Sequence, residues 1–255
     1  MTIFYFTSTG NCLYVAKRIG GDLLSIPKMM KAKTFQFKDD AIGMVFPTYG
    51  FGMPDIVRQF LNQAAWEAEY TFAIATYGNL AGTVLRNAES AAAACGKKFD
   101  YMSTLLMVDN YLPVYKVEDQ LAKLPDKKIE ENLAQILANI KSRKTNRSAA
   151  ALPHKPSAVN IQTRARIFSD GKSAKKYIVN ERCTKCGICA KVCPTANITV
   201  TDDQVIFGEN CEECLGCVHH CPQNAIHLPD EKSTARFRNE HVLLKEIIDS
   251  NCQSL

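Results

Sequence analysis

No stretch of this chain approaches the roughly 18 consecutive apolar residues that a membrane-crossing helix needs. The opening residues, Met-Thr-Ile-Phe-Tyr-Phe, carry no basic cluster, and their apolar run stops at Thr7. A secretory leader is therefore not expected, and the expected location is the cytoplasm. In that reducing compartment eleven cysteines argue against a disulfide framework. An overall excess of one charge is also lacking: 31 Lys and Arg face 26 Asp and Glu. The excess is local, with ten basic residues and one acid, Asp170, in 141–176 (+9), and three basic and seven acidic residues in 177–230 (−4). One basic segment is not a basic protein, so neither nucleic acid nor a membrane is an expected partner. The segment reads as a solvated linker or as an electrostatic dock for the acidic region that follows it or for an anionic partner.

The 46 % hydrophobic and 22 % charged content is that of a globular protein with a sizeable core. In residues 1–140 short apolar runs alternate with helix-like stretches. Residues 3–6, 42–46, 72–75 and 103–108 read as buried strands, and 34–37 as a fifth, less regular one. Residues 12–24, 54–65 and 80–95 read as helices. Ile129, Leu133, Ile136, Leu137 and Ile140 share one helical face, with Pro125 suited to the first turn. This alternation predicts an α/β fold with a parallel sheet covered by helices on both faces. The last residues, 231–255, predict a helix packed back on the body through Val242, Leu243, Leu244, Ile247 and Ile248.

Eight cysteines crowd into residues 183–221 in two copies of one pattern. Cys183, Cys186, Cys189 and Cys193 precede Pro194, and Cys211, Cys214, Cys217 and Cys221 precede Pro222. Three closely spaced thiolates can wrap a metal cube from one side, and the proline stops the short helix that follows. Zinc sites use separated C-x2-C pairs instead. The C-x2-C-x2-C-x3-C-P run resembles that of two-cluster bacterial ferredoxins, whose fourth cysteine serves the other cluster. The resemblance implies one 4Fe–4S cluster on Cys183, Cys186, Cys189 and Cys221, and another on Cys211, Cys214, Cys217 and Cys193. It also implies a pseudo-twofold βαβ–βαβ domain over 177–230. Gly187 and Gly216 leave room for amides near the sulfides. His219 and His220 are expected to face solvent or to sit behind the ligands. Cys95 and Cys252 read as ordinary thiols.

The first strand runs into Thr7-Ser8-Thr9-Gly10-Asn11-Cys12 and then a helix. Hydroxyls and backbone N–H groups at a helix start suit a phosphate. The loop has no lysine, so it is not the P-loop of nucleotide hydrolases. It is similar to the phosphate loop of flavodoxins, T-x-T-G-N-T, with Cys12 where that family has Thr or Ser. The resemblance covers residues 1–145 and implies a five-stranded parallel sheet of order 2-1-3-4-5 that binds FMN. It further implies ring-binding loops at Pro47-Thr48-Tyr49-Gly50-Phe51-Gly52 and Thr76-Tyr77-Gly78-Asn79, at the carboxyl ends of their strands. Tyr49 and Tyr77 are candidates to stack on the ring, and Tyr111 to shield it or gate a substrate.

The whole chain resembles the ferredoxin–flavodoxin fusions of anaerobes, a kind of iron–sulfur flavoprotein. The expected organisation is an FMN domain (1–145), a basic connector (146–176), a two-cluster domain (177–230) and a helical tail (231–255). The expected function is electron transfer between two 4Fe–4S clusters and FMN, coupling one-electron and two-electron redox partners. The alternatives are an FMN-dependent oxidoreductase that reduces a small, acidic substrate with electrons from its own clusters, and a redox sensor with structural clusters. The redox protein partners and the oligomeric state, a dimer included, stay open.

Overall fold

The computed structural model describes residues 1–146 and 173–251. Its larger part is a five-stranded, all-parallel sheet. In chain order the elements are β1 (Thr2–Tyr5), α1 (Asn11–Ile19), β2 (Asp22–Ser25), α2 (Ile26–Ala32), β3 (Gln36–Lys38), β4 (Ala41–Pro47), α3 (Asp55–Gln63), β5 (Ala65–Glu67), β6 (Tyr70–Tyr77), α4 (Val84–Ala94), β7 (Tyr101–Leu106), α5 (Val117–Ala122) and α6 (Ile129–Lys141). The spatial order is β2-β1-β4-β6-β7, the expected doubly wound arrangement. Alternate residues of one strand feed opposite cores, because side chains in a strand point to opposite faces. Ile3 and Tyr5 pack with α1 and α6, while Phe4 and Phe6 pack with α2, α3 and α4. Both faces are thus covered, which is why the strands read as continuous apolar runs.

Two expectations need correction. The sheet's second strand is β2, not residues 34–37. The glycine pair Gly20-Gly21, at φ +83° and +94°, ends α1 at Ile19, five residues short of the predicted helix, and frees Leu23 and Leu24 to pair with β1. β3 instead pairs with β5 in a separate two-stranded ladder that sets Phe37 beside Trp66. Pro125 is also displaced. It lies in a 3-10 turn, Pro125–Lys127, and Lys128 in the left-handed region separates that turn from α6.

The cysteine region comprises β8 (Ile178–Val179), α7 (Ile188–Lys191), β9 (Ile198–Val200), β10 (Val205–Phe207), α8 (Gly216–His219) and β11 (Ile226–His227). β8 pairs with β11 and β9 with β10, both antiparallel, so the chain forms two βαβ units related by a pseudo-twofold. The tail then crosses the sheet body. Lys232 N–H donates to Leu112 O at 2.8 Å, Asn239 N–H to Thr9 O at 2.8 Å, and Asn251 Nδ2 to Thr7 O at 2.8 Å. Helix α9 (Leu244–Asn251) is shorter than predicted, but Val242 and Ile247 do join the core over β1. Cys252 and most of the basic connector, 147–172, lie outside the described residues.

Candidate functional site

The loops after β1, β4, β6 and β7 meet at the carboxyl edge of the sheet and enclose a cavity of about 290 Å³. Of the predicted residues, Thr7, Ser8, Thr9, Asn11, Cys12, Pro47, Thr48, Tyr49, Gly50, Phe51, Thr76, Tyr77, Gly78 and Tyr111 line it. Gly10, Gly52 and Asn79 do not. Gly10 lies beneath Asn239 and Val242, Gly52 forms a backbone bridge with Tyr49, and Asn79 donates to Asp109 at 2.9 Å and Gln120 at 3.2 Å. These three support the wall from behind.

The hydroxyl-rich loop is held rigidly. Thr9 Oγ1 accepts from Asn110 Nδ2 at 2.8 Å, and Asn11 Nδ2 donates to Val108 O at 3.2 Å. The backbone N–H groups of Ser8 through Cys12 have no acceptor among the described residues. The buried Thr48 Oγ1 has no hydrogen-bond partner there either. Donors left open around a cavity invite a polar ligand. Among the described residues no Lys or Arg lines the cavity, and the donors they offer an anion there are neutral. Burial pushes the Cys12 thiol up to about 12, and its sulfur lies 3.1 Å from Thr76 Oγ1. Cys12 is therefore a neutral wall residue.

One wall was not foreseen: Glu213, Cys214 and Leu215, from the second cysteine loop, line the same cavity. Ser8 Oγ donates to Cys214 O at 2.6 Å, and His220 Nε2 donates to Ser8 O at 3.0 Å. His219 Nε2 donates to Asn110 O at 2.9 Å, while its Nδ1 accepts from Phe237 N–H at 3.1 Å. Both histidines are buried, which excludes the solvent-facing alternative and leaves the one that sets them behind the cysteines. Burial pushes His219 down to about 3 and His220 to about 4, so neutral rings pin α8 to the sheet loops. Helix α3 follows Pro54 and has no side-chain cap of its own. Glu212 Oε1 supplies one by accepting from Ile56 N–H at 2.8 Å.

Among the described residues no three His, Cys, Asp or Glu side chains are gathered as a ready metal site, but the thiols influence one another in two sets. Burial first, then the neighbouring charges of Cys183, Cys186 and Cys221, push the Cys189 thiol up to about 11. Burial and then Cys214, Cys211 and Cys193 raise Cys217 further, with Cys189 a more distant neighbour. Thiols crowded this way are unfavourable as free thiolates and suit a group that takes up their charge. Backbone amides aim at the sulfurs: Asn197 N–H at Cys193 and Ala225 N–H at Cys221, both at 3.2 Å.

Residues 175–242 match the family model described as a 4Fe-4S dicluster domain. A Trp repressor binding protein from Bacillus subtilis is similar at 13 % identity and a TM-score of 0.30, covering 42 % of this chain and 83 % of that one. No curated protein matches the chain. The C-terminal part is thus ferredoxin-like and belongs to iron–sulfur electron transfer. No helix among the described residues is long and apolar enough to cross a membrane.

Proposed function

We propose that this protein passes electrons between two 4Fe–4S clusters and an FMN seated in the cavity at the sheet edge. One observation carries the reading: the loop of Cys211, Cys214 and Cys217 is also a wall of that cavity, tied to the hydroxyl-rich loop through Ser8. One quartet of ligands is Cys183, Cys186, Cys189 and Cys221, the other Cys211, Cys214, Cys217 and Cys193. Residues 1–145 act as the FMN domain and 177–230 as the cluster domain. FMN supplies the step between one-electron and two-electron chemistry. The N–H groups of residues 8–12 bind its phosphate, helped by the positive end of α1. The loops at 47–52 and 76–78 take the ring, and Thr48 Oγ1 offers it an open hydrogen-bonding position. Tyr49, half-buried and edge-on against Phe6 with ring centroids 6.1 Å apart, and Tyr77 narrow the space around the ring.

A second reading, the reductase, is favoured by the rim. Leu80 and Val114 line the cavity yet stay 66 % and 51 % exposed, an apolar entrance of the sort that admits a small molecule. The deciding experiment is anaerobic purification with iron, sulfide and flavin analysis. About eight iron, about eight sulfide and about one FMN per chain are expected, from two four-iron cubes and one flavin. Protein that assembles four iron or fewer after full reconstitution would defeat the ligand quartets. Stoichiometric reduction of an added small molecule would favour the reductase over the carrier.

A further inference from the structure

The pseudo-twofold makes the two cysteine loops alike in backbone. Lys185 and Glu213 occupy equivalent positions at φ +54° and +51°, and Gly187 and Leu215 do so at +77° and +55°. Their surroundings differ. Glu213, Cys214 and Leu215 form a wall of the cavity. A Cβ on Gly216 would lie 3.2 Å from Ser8 Oγ, so glycine there lets the sheet loop and the cysteine loop touch. In the first loop Cys186 and Lys185 are exposed, and a Cβ on Gly187 would meet nothing within 4 Å. Burial and the thiolates of Cys211, Cys217 and Cys214 raise the Tyr177 phenol well above its ordinary value. The ring stands edge-on to Phe207 with centroids 5.6 Å apart.

From this asymmetry we infer that the two clusters have fixed, unequal roles. The quartet of Cys193, Cys211, Cys214 and Cys217 is the inner relay that exchanges electrons with whatever the cavity holds. The quartet of Cys183, Cys186, Cys189 and Cys221 is the outer port, where a one-electron carrier protein reaches the molecule at the exposed Cys186 loop. The inference rests on the ligand quartets and the flavin site proposed above. Electron transfer weakens steeply with distance, so the cluster built into the cavity wall outcompetes the other for the cavity. Each step moves one electron, in either direction: the giver is oxidised, the taker reduced, and no bond is made or broken.

The paired charges provide the test. Glu213→Gln removes a negative charge beside the inner quartet and should raise one midpoint potential. Lys185→Gln removes a positive charge beside the outer quartet and should lower the other. Anaerobic redox titration followed by electron paramagnetic resonance reads both and labels each cluster by the variant that moves it. Adding FMN should then shift the lines or potential of the Glu213-sensitive cluster only. A soluble paramagnetic complex too bulky for the cavity should speed relaxation of the Lys185-sensitive cluster more. If Glu213→Gln fails to assemble both clusters, Ser8→Ala, which deletes the hydroxyl bond to Cys214 O, labels the inner one. FMN acting on the Lys185-sensitive cluster, or the complex relaxing both alike, overturns the inference. FMN binding is scored separately by quenching of flavin fluorescence. Its absence would sink the flavin reading, and the relaxation comparison would still decide this one.

Discussion

The parallel sheet and the cysteine region sit against each other but are held together by different physics. The sheet is closed by two apolar cores. Phe4 alone meets Phe37, Phe60 and Trp66 at centroid distances of 4.5, 4.8 and 6.2 Å, and the strands between the cores are buried on both faces. The cysteine region has strands of two or three residues, helices of four, and a core in which cysteines are major members. Elements that short cannot supply their own stability. The first region is stabilised by burial of carbon, the second by what its thiols hold and by the surface it leans on.

Removing iron should therefore break the two regions apart in stability, and it carries the largest expected effect. Chelation under anaerobic conditions should melt the segment around 178–228, because ligand binding and folding are coupled in small metal domains. The sheet should keep its protected amides, read by hydrogen exchange. A cysteine region that stays protected without iron would show that its small core suffices. The reverse experiment is Phe4→Ala, expected to cost roughly 3–5 kcal/mol of sheet stability in a denaturant titration. Iron and sulfide content should stay unchanged. Cluster loss in that variant would mean the sheet is a folding template for its neighbour.

The same difference governs what could be read from the sequence. The cysteine pattern is legible because its chemistry is local: the thiols that grip one side of a cluster lie within seven residues, and the pattern is printed twice. The loops at 7–12, 47–52 and 76–78 are legible because turn chemistry and strand ends are local too. What was not legible is set by contacts between distant parts. A polar pair such as His219-His220 next to cysteines reads as exposed or as backing for the ligands, and the carbonyls of Asn110 and Ser8 explain its burial. The place of 213–215 in the cavity wall has no local mark beyond Gly216, whose use depends on Ser8, more than 200 residues earlier. The second strand is hard to read because Asp22-Leu-Leu-Ser25 is short and half polar and follows the apolar spacing of 12–24, which reads as helix through Gly20-Gly21.

The seam between the regions offers a smaller test. Glu212 caps α3 from the other region, and burial with the nearby Asp55 pushes its carboxyl up to about 7, so Glu212→Ala should cost about 1 kcal/mol, the worth of a side-chain cap. Faster exchange should be confined to the first-turn amides of α3 and to the Cys211 loop. Loss spread evenly over the sheet would mean that Glu212 is ordinary packing rather than a joint.

The smallest expected effect lies within the sheet side of the cavity. Asp109 lines it, with its oxygens accepting from Tyr111 N–H at 3.1 Å and Asn79 Nδ2 at 2.9 Å. Burial raises its pKa, and those hydrogen bonds with the nearby Lys127 charge offset it only in part. A carboxyl group whose folded pKa exceeds its unfolded value of 3.8 binds more protons when folded. Its stability contribution is thus greatest at acid pH and falls as pH rises from 3.8 through the folded value. Asp109→Asn should remove that slope. As pH rises from about 4 to 8 the wild type should lose stability relative to the variant. Urea titrations of both proteins across that range read the difference. A slope of the opposite sign would mean that Lys127 and the two hydrogen bonds outweigh burial, making Asp109 an anchored charge facing the cavity. The cavity would then carry a fixed negative group at Asp109 as well as Glu213, and an anionic occupant would meet repulsion from both regions.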